Sequence, residues 1–288
     1  MKKILSILMA ALMCVAMAAC GSQNASETST ESDWAYVQNK GVVTIGVTNY
    51  PPMNYLNDNG DWMGFDTEFA QAVFESLGVD VEFVEISWEA KETELQSKNI
   101  DCLWNGMCIT DERKEMWEVS TPYMYNTQAM VMKADREAEI MADVTGLNIV
   151  AEAGSTGEEK ITGKMDDDSD PTVEVKALDY FANSNYTGVE SMATALMDVE
   201  NGIADVAVVD SVIAQGMIEG ENSSYGDLVI NMDNKFGDQY FGVAFRKDSD
   251  ICEMVNGAIE TLRENGKLDE IAAKYGLTDS VAAAANAQ

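Results

Sequence analysis

The chain of 288 residues contains no histidine. Without an imidazole, no Ser-His or Cys-His nucleophile can be assembled, and no His-bearing zinc site can form. Basic residues are scarce: 18 lysines and arginines stand against 50 aspartates and glutamates, a net charge of −32. That balance argues against nucleic acid and against adhesion to anionic lipid, and it favours solubility. No CxxC pair, P-loop or dinucleotide fingerprint occurs, so no metal or cofactor is expected. A long apolar run is found only from Ile4 to Ala19, short of the roughly 20 residues that a spanning helix needs.

That run follows Lys2-Lys3 and ends at Ala18-Ala19, just ahead of Cys20-Gly21. Charge, apolar core and small residues make a signal peptide over residues 1–19. A cysteine placed directly after the small residues is the pattern of a bacterial lipoprotein signal, in which Cys20 would receive lipid and tether the protein to the outer face of the cell membrane. An ordinary secretory signal with a cysteine near its end is the other reading. The stretch to Asp33 (GSQNASETSTESD) is small and polar, a flexible linker. The remaining length suits two domains or one large one, and 46% hydrophobic residues can supply its core. The short acidic cluster Asp166-Asp167-Asp168 reads as a solvated loop. Cys102, Cys108 and Cys252 are an odd set, either one disulfide with a free thiol or three buried thiols.

From Trp34 onward strands and helices alternate. Gly41–Val47 reads as a buried strand, stopped by Tyr50-Pro51-Pro52, and Asn59-Gly60 as a turn. Phe65, Phe69, Val73 and Leu77 recur every four positions, with Asp66 placed to cap that helix and Gly78 to end it. Val79–Phe83 alternates as a strand, Ser87–Ser97 is a helix, Ile100–Trp104 a strand, and Thr110-Asp111-Glu112 opens a helix. This β-α order predicts a parallel sheet flanked by helices. After a strand at Ala129–Lys133 the pattern restarts: Asn148–Ala151, a turn at Gly154–Gly157 into a helix, a strand at Val173–Ala177, a helix over Val189–Val199 and a strand at Asp205–Val209. Asn99-Ile100-Asp101 in the first half matches Asn201-Gly202-Ile203-Ala204-Asp205 in the second, a weak symmetry expected of two similar lobes. Tyr240–Lys247 is a last strand before two helices ending near Leu277, and the tail from residue 279 looks disordered.

Ligands of open α/β sheets bind beyond the carboxyl ends of strands. Reading each strand to its end gives Tyr50, Trp88, Asn105 to Arg113, Ser155-Thr156 and Asp210. Arg113 lies in the first turn of a helix, where a cation opposes the dipole; it is either a surface arginine or a carboxylate clamp. Asp210 could receive an ammonium or cap the next helix. Ser155 and Thr156 offer hydroxyls at a helix start, as an anion site or as plain caps. Tyr50 and Trp88 are candidate aromatic walls or core. Together these groups are the inventory that an α-amino acid needs.

The segments YPPMNYLNDNGDWMGFDTEFAQAVFESLG at 50–78, WNGMCITDERKEMW at 104–117, STPYMYN at 120–126, AEAGSTGEE at 151–159 and NGIADVAVVDS at 201–211 resemble the extracellular solute-binding proteins of polar amino-acid ABC transporters. The resemblance runs from about Trp34 to Leu277. It implies an α/β, two-lobed type II periplasmic-binding-protein fold, each lobe a mostly parallel sheet flanked by helices. The expected parts are residues 34–131 (first lobe), 132–230 (second lobe), 231–278 (return to the first) and a tail at 279–288, with hinge strands near Val131–Lys133 and Leu228–Met232. On this likeness Arg113 clamps the ligand carboxylate and Asp210 its ammonium. Gly106 and Cys108 stand near the amino group, Thr156 with Ser155 donates to the carboxylate, Tyr50 and Trp88 pack on the side chain, and Asn105 lines the pocket. Cys108 departs from the family, which usually has Ser or Thr there; a thiol is a weaker partner. The segment Gly46-Val47-Thr48-Asn49 carries no acid, unlike members that bind basic amino acids, so a neutral side chain is expected. The implied partners are a free amino acid and an ABC permease, with the protein itself a monomer. The rivals are a dehydratase-like cleft enzyme of the same fold acting on a carboxylated ring, for which Glu190 or Glu152 would have to serve as general acid or base, and a ligand-sensing module.

Overall fold

A computed structural model describes residues 32–163, 177–219, 223–232 and 236–286. The signal segment, Cys20, nearly all of the linker, the acidic cluster at Asp166–Asp168 and the start of the strand expected at Val173 lie outside them. Residues from Asp33 on make one compact unit. It opens with helix α1 (Asp33–Lys40) and strand β1 (Val42–Val47), whose apolar residues are almost all buried. A two-stranded hairpin follows, β2 (Tyr55–Leu56) with β3 (Trp62–Met63), around the expected turn. Helix α2 (Phe65–Ser76) buries Phe65, Phe69 and Val73 at the predicted spacing and ends at Gly78, whose φ of 73° suits glycine. Asp66 does not cap it. Gly64 is the cap residue, and the Asp66 side chain turns into the interior, because a buried amide and a buried phenol are waiting for it there.

Strand β4 (Asp80–Glu85), a 3-10 turn at Trp88–Ala90, helix α3 (Lys91–Gln96), strand β5 (Cys102–Cys108) and helix α4 (Asp111–Met116) complete the first run. β1 pairs parallel with both β4 and β5, as the β-α order requires. The short β6 (Glu118–Val119) precedes β7 (Met124–Lys133), the longest strand. A 3-10 turn at Ala134–Arg136 and helix α5 (Glu137–Ala142) lead to the second run: β8 (Asn148–Glu152), α6 (Thr156–Thr162), α7 (Ala177–Phe181), β9 (Asn185–Val189), α8 (Met192–Glu200), β10 (Val206–Asp210), α9 (Ser211–Ile218) and β11 (Leu228–Asn231). The chain closes with β12 (Asp238–Phe245), α10 (Ile251–Glu264), α11 (Lys267–Lys274) and α12 (Thr278–Asn286). The large sheet runs β4-β1-β5-β12-β7-β10-β8-β9. Its two outer thirds are parallel, while β12 and β7 join them by antiparallel ladders.

β7 is the seam. Met124 to Thr127 pair with β12, and Gln128 to Val131 pair with β10. The change of partner at Thr127–Gln128 passes one strand from the first half of the sheet to the second.

One strand was not expected, and one expectation fails. The second strand of the second run is β9, in parallel register with β8 from Asn148↔Asn185 to Glu152↔Val189, while Ala177 begins a helix. β9 is a half-exposed edge strand of sequence NYTGV, so no apolar alternation marks it. The tail is helical rather than disordered: Val281 and Ala284 share one face of α12 and are buried, and the helix packs on β7. Tertiary burial holds a helix too short to stand alone. Cys102, Cys108 and Cys252 are three buried free thiols.

The repeated Asn-Ile-Asp motif has a physical meaning. Asp101 opens β5: its carboxylate accepts from the Thr44 N–H at 3.0 Å, and its own N–H donates to the Thr44 carbonyl. Asp205 opens β10 in the same way, accepting from Asn148 N–H at 2.8 Å and donating back to the Asn148 carbonyl. Both pairs are 57 residues apart, and each aspartate meets an arginine, Arg246 in one case and Arg136 in the other. The Asp101 pair is buried and the Asp205 pair partly exposed. Asp101→Ala is therefore expected to cost about 2–3 kcal/mol and Asp205→Ala about 1 kcal/mol, read by urea denaturation; equal losses would contradict this ranking.

Candidate ligand-binding site

The carboxyl ends of β1 and β5 meet those of β8 and β10 beside β7, and the line where the two halves touch forms a closed cleft. Asp210 closes β10 there and is only 2% exposed. Its carboxylate accepts from Tyr50 Oη at 2.9 Å, Asn126 Nδ2 at 2.7 Å and Gln128 Nε2, with the Cys108 thiol at 3.8 Å. Tyr50 follows β1, Cys108 ends β5, and Asn126 and Gln128 flank the β7 seam, so donors from both halves converge. They make no helix cap of Asp210, whose side chain bonds no backbone N–H of α9. Burial raises its pKa, opposed by these hydrogen bonds and by the Arg113 charge. Among the described residues no cation forms an ion pair with it.

Arg113 is 3% exposed and thus no surface arginine. Thr110 caps α4 by accepting from the Arg113 N–H at 3.1 Å. The helix start directs the guanidinium back, so that Nη1 donates to the Cys108 carbonyl at 2.9 Å. Nη2 reaches Glu159 Oε1 of α6 at 3.3 Å, an ion pair across the cleft. Cys108 therefore touches both charged poles, Arg113 through its carbonyl and Asp210 through its sulfur. Its thiol also donates to Gln239 at 3.4 Å and lies 3.5 Å from the Thr156 hydroxyl.

Gly106 bends β5 just before Cys108. Its φ is 57°, and a Cβ there would stand 2.3 Å from the Tyr50 ring, so only glycine permits both the bend and the aromatic contact. The Gly106 N–H donates to Asp66 Oδ2 at 2.7 Å, and Tyr123 Oη donates to the same oxygen at 2.9 Å. This buried carboxylate fixes the bend from beneath.

On the other side of the cleft Ser155 caps α6, its hydroxyl accepting from Glu158 N–H at 3.2 Å. Thr156 is buried and accepts from Gln128 Nε2 at 2.9 Å. Trp88 is buried, with Lys91 Nζ 5.0 Å from its ring centre. Lys91 donates to the Trp88 carbonyl at 3.2 Å and across the cleft to the Gly154 carbonyl at 2.8 Å. Burial, aided by Arg113, pushes Lys91 down to about 8. Glu152, ending β8, is pushed up to about 8 by burial and by Asp210.

The structure thus gathers Tyr50, Trp88, Gly106, Cys108, Arg113, Ser155, Thr156 and Asp210 around one cleft. Asn105 stands apart: its side-chain oxygen accepts from the Thr48 main-chain N–H and the Asn54 side-chain amide, and its own amide donates to the Thr48 hydroxyl, so it ties the end of β1 to β5. Sequence reasoning missed Lys91, Asn126, Gln128, Glu159 and Gln239, and named Glu152 only for the rival cleft enzyme. Asn126 and Gln128 sit two apart on one face of an otherwise buried strand, a signal lost by starting that strand at Ala129. Lys91 shares a helix face with Leu95, where an apolar residue would be ordinary.

The sequence model of the bacterial extracellular solute-binding proteins, family 3, matches residues 43–278. The arginine-binding extracellular protein ArtP of Bacillus subtilis (strain 168) is 26% identical over 275 residues, covering 96% of this chain and 98% of ArtP. The L-cystine-binding protein TcyA of the same organism is 28% identical over 286 residues, covering 96% and 97%. Among solved structures, an ABC uptake transporter substrate-binding protein from Streptococcus pneumoniae with bound histidine matches with a TM-score of 0.74 at 30% identity. That match covers 86% of this chain and 97% of the other.

The buried Asp66 carries a pH dependence. Burial raises it from 3.8 to about 7, against the hydrogen bonds from Gly106 and Tyr123. The folded state keeps a proton that the unfolded chain releases, so this stabilisation is full below the unfolded value and is lost as pH rises through about 7. Urea denaturation of the ligand-free protein at about pH 4 and about pH 7 should show stability falling with pH. Asp66→Asn should flatten that fall; an unaltered slope would contradict it.

Proposed function

The chain belongs to family 3 of the bacterial extracellular solute-binding proteins, and from that premise we propose that its cleft captures one α-amino acid without net side-chain charge by closing two lobes on it. The family is extracellular, and the relatives named above are binding proteins rather than enzymes, the one from Streptococcus pneumoniae belonging to an ABC uptake transporter. They bind arginine, cystine and histidine. What such ligands share is the α-amino-acid head, and the head is what the two charged poles of this cleft suit.

The observation that carries the reading is the placement of Arg113 and Asp210 in one buried cleft with Cys108 touching both. A carboxylate and an ammonium on one α-carbon are separated by a few bonds, and this pair offers opposite charges at matching ends. The guanidinium presents a planar fork suited to a carboxylate, which would take over from the partly exposed Glu159. The ammonium adds the positive charge that neutral donors cannot supply to Asp210. Thr156 stands at the start of α6 to donate to the carboxylate. Tyr50 and Trp88 wall the side chain.

The lobes divide at the partner change in β7, at Thr127–Gln128, just before the expected Val131–Lys133, and closure bends the chain there. Donors to Asp210 from both halves then assemble only in the closed form, which a membrane permease receives. Cys20 is the lipid attachment point, holding a monomer at the outer face of the membrane. The neutral side chain follows from the acid-free segment Gly46–Asn49.

Removing one partner of a buried charge pair costs about 2–5 kcal/mol. Arg113→Ala should therefore weaken amino-acid binding roughly 30-fold or more, measured by titration calorimetry; an unchanged affinity would refute the site.

A further inference from the structure

Glu152 and Lys91 are buried ionisable side chains that the amino-acid head does not use. Glu152 is 6% exposed, and its carboxyl accepts no hydrogen bond from the described residues, although the charges of Asp210 and Lys91 both act on it. Lys91 is 9% exposed. Two of its three N–H donors go to the Trp88 and Gly154 carbonyls, leaving one. Gly154 is two residues beyond Glu152 on the turn from β8 to α6, and a Cβ on it would stand 3.0 Å from Lys91 Nζ. The Lys91 ammonium, lying over the Trp88 ring, therefore bonds the turn that directly follows Glu152, so the two residues reach one corner from the two halves of the protein.

We propose that Lys91 and Glu152 read the far end of the ligand's side chain, selecting one that ends in a hydrogen-bond acceptor beside a donor: a carboxamide or a second amino-acid head. The inference rests on the amino-acid reading above and names its substrate class. The acceptor meets Lys91 and the donor meets Glu152. A purely cationic side chain suits Glu152 but is opposed by Lys91, and a purely anionic one meets the reverse. An apolar side chain leaves two buried polar groups unpaired, which is the strongest basis for rejecting a ligand. Burial already weighs against charge on both groups, pushing Glu152 up and Lys91 down. A ligand that pairs both at once relieves both.

The test is a calorimetric panel with L-glutamine, L-asparagine, L-cystine, L-arginine, L-glutamate and L-leucine, run on the full folded protein and on Lys91→Met and Glu152→Gln. The original protein should prefer an amide or cystine over leucine by roughly 10- to 100-fold, the value of a hydrogen bond to a charged group. Glutamine ahead of cystine identifies the carboxamide, and the reverse order the second head. Lys91 also bridges the cleft, so its loss weakens every ligand, and the readout is the ratio between ligands. Lys91→Met should shift that ratio toward arginine, and Glu152→Gln toward glutamate, each by about tenfold. Leucine or arginine binding tightest to the original protein, or variants that scale all ligands by one factor, would overturn the proposal while leaving amino-acid capture intact. Failure of every ligand, with Arg113→Ala equally inert, would instead strike the capture reading itself.

Discussion

A carboxylate taken out of water has to be met by donors, and Asp210 draws its donors from separate places in the chain. Tyr50 comes from the end of β1, Cys108 from the end of β5, and Asn126 and Gln128 from the seam strand β7. These segments come together only when the two halves of the sheet face each other closely. On the proposed two-lobe reading, satisfying this one charge and closing the cleft are a single event. The donors are neutral, so they stabilise the carboxylate without cancelling its charge. A ligand ammonium would cancel it, which links ligand capture to closure by ordinary electrostatics.

The scaffold achieves this by using one device twice. In each half an aspartate opens a strand and locks it to its neighbour 57 residues earlier, Asp101 to Thr44 and Asp205 to Asn148. The lock sets parallel register at the far end of each strand pair, and Cys108 and Asp210 sit at the near ends of the two locked strands. Gly106 then supplies the bend that lets the Cys108 carbonyl meet Arg113 while Tyr50 passes close by. A packed interior transmits such placements because it has little slack.

Most of the first half of the fold was legible in the sequence, because its buried strands and the spacing of Phe65, Phe69 and Val73 carry period and punctuation. β9 was not: an edge strand with one face in water and polar residues along it has no reason to alternate. The C-terminal helix was missed because alanine reveals little about what it packs against. At the site, Arg113 and Asp210 stood out since a charge at a strand end or in a helix's first turn is unusual. Lys91, Gln128 and Glu152 did not, because what makes them notable is burial, and burial of a polar side chain is decided by distant segments. Asp66 was legible as a residue of note but misread in role, since a short acid near a helix start satisfies the cap pattern whether or not its side chain turns inward.

The central claim is that both ends of an α-amino-acid head are held. The direct measurement is thermal unfolding of residues 21–288 with each of the twenty amino acids, beside the matching amine that lacks the carboxylate and the hydroxy acid that lacks the ammonium. A ligand at 100 times its Kd stabilises the fold by about 2.7 kcal/mol, a rise of several degrees. At least one amino acid should produce that rise, and both of its truncated analogues should lose most of it. A rise that survives loss of either head group, or no rise with any amino acid, would contradict the account.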